Sequence, residues 1–378
     1  MTARRYPPLF AMLMGCSVFS QTETPASTRT DQEVQLRAAE VKDPVQGGWS
    51  NLEEKKDLFF APQVDMDLEN NCLEQLNQFR WERNVALTQN QGVIPPADQA
   101  RLQEIAGSLS SVAPQSFEAH LANFYVAFPQ PAAFMELDLA TAKGRERDEL
   151  IAPQLVNSAR KDNPVEQTKW AGAMRDRGNV APGLYLMAED ILSSVDQNGV
   201  LIAAGEMDAY PLWTEQFASG KRKDVLVVDE RLLIDPAYRA RIWDRTKARG
   251  PIPTTAEGFA EHLELSTDRP VFLSLALGQD AAGGALRDKL YVTGLAMRLS
   301  SEPVDNIPQL ALRWKRMNKA MDTGPLAQNY LLPGAVLLIH YRAVGQESEA
   351  ARLEHELRDL AERAGATQRM IKSGVFQH

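Results

Sequence analysis

Between Gly199 and Gln216 the chain reads GVLIAAGEMDAYPLWTEQ, which sets Glu206 and Asp208 just ahead of Tyr210 and Trp213. Paired carboxylates beside large rings suit sugar hydroxyls, an amine or a divalent cation: the oxygens accept hydrogen bonds or ligate a hard ion, and the rings stack on a sugar face. They would repel a phosphate, which a helix N-terminus otherwise attracts. If residues 200–204 form a strand and Pro211 opens a helix, residues 205–210 lie beyond the carboxyl end of that strand, where open α/β sheets bind ligands. Glu206, Asp208, Tyr210 and Trp213 are therefore the candidate ligand-binding residues. The same residue types also fit a structural role. Acids near a helix N-terminus offset its positive end, and Tyr210, Leu212 and Trp213 would pack the helix onto the sheet.

Other chemistry is sparse. Glu206-Met207-Asp208 resembles the Asp-x-Asp metal clamp of nucleotide-sugar transferases, but three-residue patterns of this kind arise often by chance, so no metal site is assigned. The chain has no G-x-S-x-G, H-E-x-x-H or G-x-x-x-x-G-K-[ST] motif. Its five histidines are scattered, and His340 sits in an apolar helical stretch as a core or interface residue. QDAAGGALRDK lacks phosphate-loop spacing and reads as a loop, and SGKRKD (219–224) as a solvated basic turn. No catalytic residue and no cofactor is expected.

The flanking pattern divides the chain. Residues 65–198 carry helical signals: Leu73, Leu76, Phe79 and Arg80 in one segment, Phe117, Leu121, Phe124 and Phe128 in another, then a stop at Gly178-Asn179 with Pro182 in the next first turn. Residues 199–305 alternate apolar runs (VLIAA, DVLVVDERLL, RPVFLSLAL, KLYVTGLAMRLS) with short helical stretches. Runs buried on both faces and alternating with helices predict a Rossmann-like, mainly parallel sheet, hence an α/β class. Pro211 is expected at the first helical position, with Tyr210 held out of the helix by the proline that follows it. Residues 306–378 return to two amphipathic segments split at Gly345. Tyr341, Gly345 and Ala350 keep the spacing of a tetratricopeptide-like hairpin.

The first 20 residues have two arginines, an apolar segment and a small-polar end, an export signal too short to span a bilayer. LMGC, ending at Cys16, fits a lipobox, which would make Cys16 the lipidated mature N-terminus. Ordinary cleavage near Ser20 is the alternative. Residues 21–64 are rich in Thr, Ser, Pro, Gly and charge and read as a tether. Only Cys72 accompanies Cys16, so no disulfide framework is expected. A formal charge of −9 argues against nucleic acid as the partner.

SSVDQNGVLIAAGEMDAYPLWTEQ followed by KDVLVVDERLL resembles the soluble C-terminal region of bacterial multi-spanning membrane proteins related to the transmembrane protein O-mannosyltransferase of animals. Gly205, Asp208, Tyr210, Pro211, Leu212 and Trp213 match that family's Gly-Asp-Asn-Asp-Thr-Tyr/Phe-Pro-Leu-Trp loop. Glu206 departs conservatively, and Met207 and Ala209 replace polar residues. DRPVFLSLAL is similar to the family's Arg-Pro strand, and Leu290, Gly294, Leu295, Ala296, Arg298 and Leu299 follow its Leu-x-x-x-Gly-Leu-Ala-Tyr-Arg-Leu segment. The resemblance spans roughly half the chain. In that family glycosyl transfer belongs to the membrane-spanning part. The resemblance therefore implies a detached accessory module, secreted or lipid-anchored, without transferred catalysis; the N-terminal signal and Cys16 would put it in the periplasm or at the outer membrane, held to the membrane by its lipid. Its partners would be envelope proteins, including glycosylation or secretion machinery. Two alternatives stand beside it: a carbohydrate-binding or glycan-active protein using Glu206 and Asp208, and a structural lipoprotein of a secretion or motility complex.

Overall fold

The computed structural model describes residues 68–90, 92–277 and 284–376. The expected signal, Cys16 and the tether lie outside the described residues, as does the Gly-rich start of the 279–289 loop.

Seven helices precede the first strand among the described residues: α1 (Leu68–Gln89), α2 (Pro96–Val112), α3 (Phe117–Ala127), α4 (Ala133–Lys143), α5 (Ile151–Arg160), α6 (Pro164–Arg177) and α7 (Pro182–Ser193). The periodic residues do what their spacing suggests. Leu76 and Phe79 of α1 are buried with Cys72, while Leu73 stays exposed at the edge of that stripe. Phe124 meets Phe128 and Phe134 at ring-centroid distances of 5.6 and 5.7 Å. Helix α6 opens on a proline and ends before Gly178, and α7 opens on Pro182, so the missing proline N–H falls where no intrahelical partner exists.

The sheet contains β1 (Val200–Ala203), β2 (Leu226–Asp229), β3 (Val271–Ser274), β4 (Leu290–Val292) and β5 (Ala296–Leu299), in the order β2-β1-β3-β5-β4. Helix α8 (Gly205–Phe217) links β1 to β2, and α9 (Pro236–Arg245) and α10 (Phe259–Ser266) link β2 to β3. Strand β1 pairs in parallel with β2 and β3. The β3–β5 and β4–β5 pairs are antiparallel. The sheet is therefore mixed, not mainly parallel. The difference comes from residues 289–300, which the apolar pattern presents as one strand. The chain folds back there because Gly294 has φ +144°, a backbone that side-chain-bearing residues avoid. So short a connection can only join antiparallel strands. The turn is clamped from α7: Ser194 Oγ accepts the Leu295 N–H at 2.8 Å, and Thr293 donates to the Ser194 carbonyl at 2.8 Å.

After the sheet come α11 (Ile307–Trp314), the helical pair α12 (Leu331–Ala343) and α13 (Glu347–Arg363), and α14 (Thr367–Lys372). Asp190 of α7 anchors this tail by accepting from Asn318 N at 2.9 Å, Lys319 N at 3.2 Å and Tyr330 OH at 2.7 Å. One apolar core runs without a break from Cys72 to Phe376, so the change of pattern near residue 199 is not a gap in packing. No described helix is long and apolar enough to cross a membrane.

A Cβ at position 294 would collide with Ser194, which holds the turn. Gly294→Ala should destabilise the fold by about 1–3 kcal/mol, from overpacking and loss of the clamp. Urea unfolding would measure this; an unchanged midpoint would refute the assigned role of the turn.

Candidate functional site

Helix α8 starts at Gly205, six residues before the position expected from Pro211, which instead lies inside the helix together with Tyr210. Two local features set this early start. Gly205 turns the chain with φ +58°, a conformation that costs other residues about 1–2 kcal/mol. Asp208 then reaches back, its Oδ2 accepting the Ala204 N–H at 2.7 Å and satisfying a donor at the helix entrance. A proline within a helix costs about 3 kcal/mol. Burying Tyr210, Leu212 and Trp213, each at about 1.5–3 kcal/mol, more than offsets that.

Glu206 is only 2% exposed. Its carboxylate forms a two-pronged ion pair with Arg83 of α1: Nη1 donates to Oε2 at 2.9 Å, and Nη2 pairs with Oε1. Arg231, just past β2, approaches the same Oε1 at 3.3 Å. Arg231 also grips Asp229, the last residue of β2, with Nε to Oδ1 at 3.0 Å and Nη2 to Oδ2 at 2.6 Å. The cluster is roofed by rings. Arg83 lies 4.3 Å from the centroid of Tyr125, and Arg231 lies 4.8 Å from Phe128 and 5.7 Å from Tyr210. Tyr210 and Trp213 stack on each other at 5.9 Å and 22°. Both are buried, so in this structure neither ring presents an open face to solvent.

The two acids differ in charge. Burial alone would raise the Glu206 pKa, but Arg83 and Arg231 outweigh it and hold the group below the usual carboxylate range. Asp208 has no such partner. Burial pushes it up to about 7, the Ala204 N–H and the Ser274 hydroxyl only partly oppose this, and the Asp229 charge adds to it. Its Oδ1 is buried without a hydrogen-bond partner. A proton on Asp208 leaves two carboxylates, Glu206 and Asp229, facing two guanidinium groups, a neutral balance that suits a low-dielectric interior.

All four predicted residues thus sit on α8. Glu206 and Tyr210 share a face toward Arg231, Asp208 faces its own helix entrance, and Trp213 stacks against Tyr210. Arg83, Arg231 and Asp229 escaped the sequence reading. Arg83 carried a signal, since it follows Leu76 and Phe79 at helical spacing and so falls within an apolar stripe. Arg231 and Asp229 follow the apolar run of β2 but gave no sign of which acid they would meet. His340 is half-buried on α12 beside Tyr341. Among the described residues no group of three or more His, Cys, Asp or Glu side chains is placed to hold a metal ion.

A family model described as TMEM260-associated domain 2 matches residues 185–260. The match runs from within α7 through β1, α8, β2 and α9 into the start of α10, so it includes Glu206, Asp229 and Arg231 but not Arg83. No curated protein and no solved structure matches the chain.

Glu206→Gln should cost about 3–5 kcal/mol, because it leaves the buried Arg83 guanidinium without its counter-charge; a loss under about 1 kcal/mol in denaturant unfolding would show that the pair is not a structural anchor. Asp208 gives a pH signature. The folded chain keeps its proton to about pH 7, whereas the unfolded chain releases it near the ordinary value of 3.8. Stability from this group is therefore full below about pH 4 and is lost as pH rises toward 7. The wild-type stability minus that of Asp208→Asn should fall across this window; a difference independent of pH would overturn the assignment.

Proposed function

We propose that this chain is a non-catalytic binding or scaffold module of the bacterial cell envelope, exported, lipid-anchored through Cys16 and accessory to protein glycosylation. The observation that carries the non-catalytic reading is the state of Glu206. Its carboxylate is engaged by Arg83 and Arg231 beneath a layer of aromatic rings, and a sugar or metal would have to displace that pairing to reach it. The matching motif residues have folding roles: Gly205 turns the chain, Asp208 caps α8, and Tyr210, Leu212 and Trp213 fill the core. The TMEM260-associated match over residues 185–260 supports a link to a protein O-mannosyltransferase-like system.

In this proposal the β1–α8–β2–α9–α10–β3 segment, with parallel strands in the order β2-β1-β3, is a Rossmann-like half-sheet used as a rigid frame. The pair α12–α13 is a tetratricopeptide-like hairpin, turning at Gly345 with φ +74° and burying Ala350. Envelope proteins would dock on the helical surfaces on either side of that frame.

The test compares glycan occupancy of envelope proteins by mass spectrometry in a deletion strain and its parent, with export levels matched. Occupancy should fall on deletion, recover with the wild-type chain and fail to recover with Cys16→Ser. Unchanged occupancy at equal export would discard the accessory role. Full rescue by Cys16→Ser would discard the anchor.

A further inference from the structure

A cavity of about 100 Å³ lies away from the Glu206 cluster, beside the outer edge of β2. Its walls come from the α5–α6 turn, α8, β2 and α9. The floor is apolar, formed by Trp213, Val225, Leu226, Val227 and Ile242. Strand β2 is at the end of the sheet, so no further strand covers that edge.

The polar lining has one dominant sign. Lys223, Arg241 and Arg245 face the cavity, with Asp162 as the acid. Asp162 is taken by Arg245, whose Nη1 donates to Oδ1 at 2.6 Å. Lys223 and Arg241 have no carboxylate partner among the described residues, so the cavity carries two uncompensated cations. One buried polar group also lacks a partner there. The Arg241 Nε is enclosed and makes no hydrogen bond. Gln167 is 5% exposed and lines the cavity. Buried polar groups are normally satisfied, and an orphaned one calls for a partner. Here that orphan, the buried Gln167 and the free cations converge on one space above an apolar floor, the composition of a small-molecule site.

We propose that this cavity binds a small organic anion, a phosphate or carboxylate head group on a short apolar or ring-shaped body. The guanidinium fork of Arg241 takes the head group in a geometry suited to either oxyanion. Lys223, at the exposed end of the basic turn, adds a point charge, and the Gln167 amide donates a further hydrogen bond. The body rests against Trp213, Val227 and Ile242. The ligand thus meets the flank of the sheet, not the carboxyl ends of its strands.

The test is calorimetric titration of the purified chain with phenyl phosphate, benzoate and neutral benzyl alcohol. At least one anion should bind saturably and weaken with added salt, with benzyl alcohol at least about tenfold weaker. Arg241→Gln and Lys223→Gln should each reduce anion affinity about tenfold or more, the scale of a lost charge-assisted contact. Near-ultraviolet circular dichroism checks that each variant is folded. Lys223 is exposed, so its variant carries the test if Arg241→Gln does not fold. Preference for phenyl phosphate identifies a phosphate head group, and preference for benzoate a carboxylate. Failure of both anions to saturate, equal binding of benzyl alcohol, or unchanged affinity in folded variants would overturn the site.

Discussion

Glu206 is held between two guanidinium groups that arrive from opposite parts of the chain, Arg83 from α1 and Arg231 from the end of β2. Removing a carboxylate from water costs several kcal/mol, and a buried pair recovers this only with good geometry and further hydrogen bonds. The two-pronged contact with Arg83 supplies that geometry, while Asp229 satisfies the rest of Arg231. Position matters as well. Glu206 is in the first turn of α8, where the positive end of the helix favours a negative charge. The cluster therefore ties the first helix, the central helix and the edge strand into one arrangement, and the aromatic layer of Tyr125, Phe128 and Tyr210 closes over it.

Other ion pairs repeat this connection at two further points. Arg160 of α5 meets Asp235 at the start of α9 at 2.8 Å, and Arg175 of α6 pairs with Glu215 of α8. Glu215 and Asp235 are as buried as Glu206, so these pairs share with the continuous apolar core and the Glu206 cluster the union of the helical region with the sheet. The tail is joined by a different device. Asp190 collects backbone and hydroxyl donors from residues 318–330, and Arg313 reaches Asp196 at 2.8 Å.

This arrangement separates two uses of charge. Around Glu206 the charges close on one another beneath the surface. Beside β2 the Lys223 and Arg241 charges stay unanswered above an apolar floor. A rule based on strand ends leads to the first place. It has no means of reaching the second, which four separate elements must build.

The sequence by itself determined the element types in most of the chain, because period and punctuation are local. Leu76 and Phe79 marked the buried face of α1, Pro182 the start of α7, and Gly345 the break between α12 and α13. It also singled out residues 205–213, since acids and aromatics after a buried apolar run are conspicuous in any context. Tertiary structure decided what those residues do. Pro211 suggested a helix start that Gly205 and Asp208 moved six residues earlier, and Gly294 turned an apparent single strand into a hairpin. The pairing of Glu206 with Arg83 spans 123 residues. No local pattern encodes that distance; it follows from which helix the core places against which strand, and burial then makes the pairing obligatory.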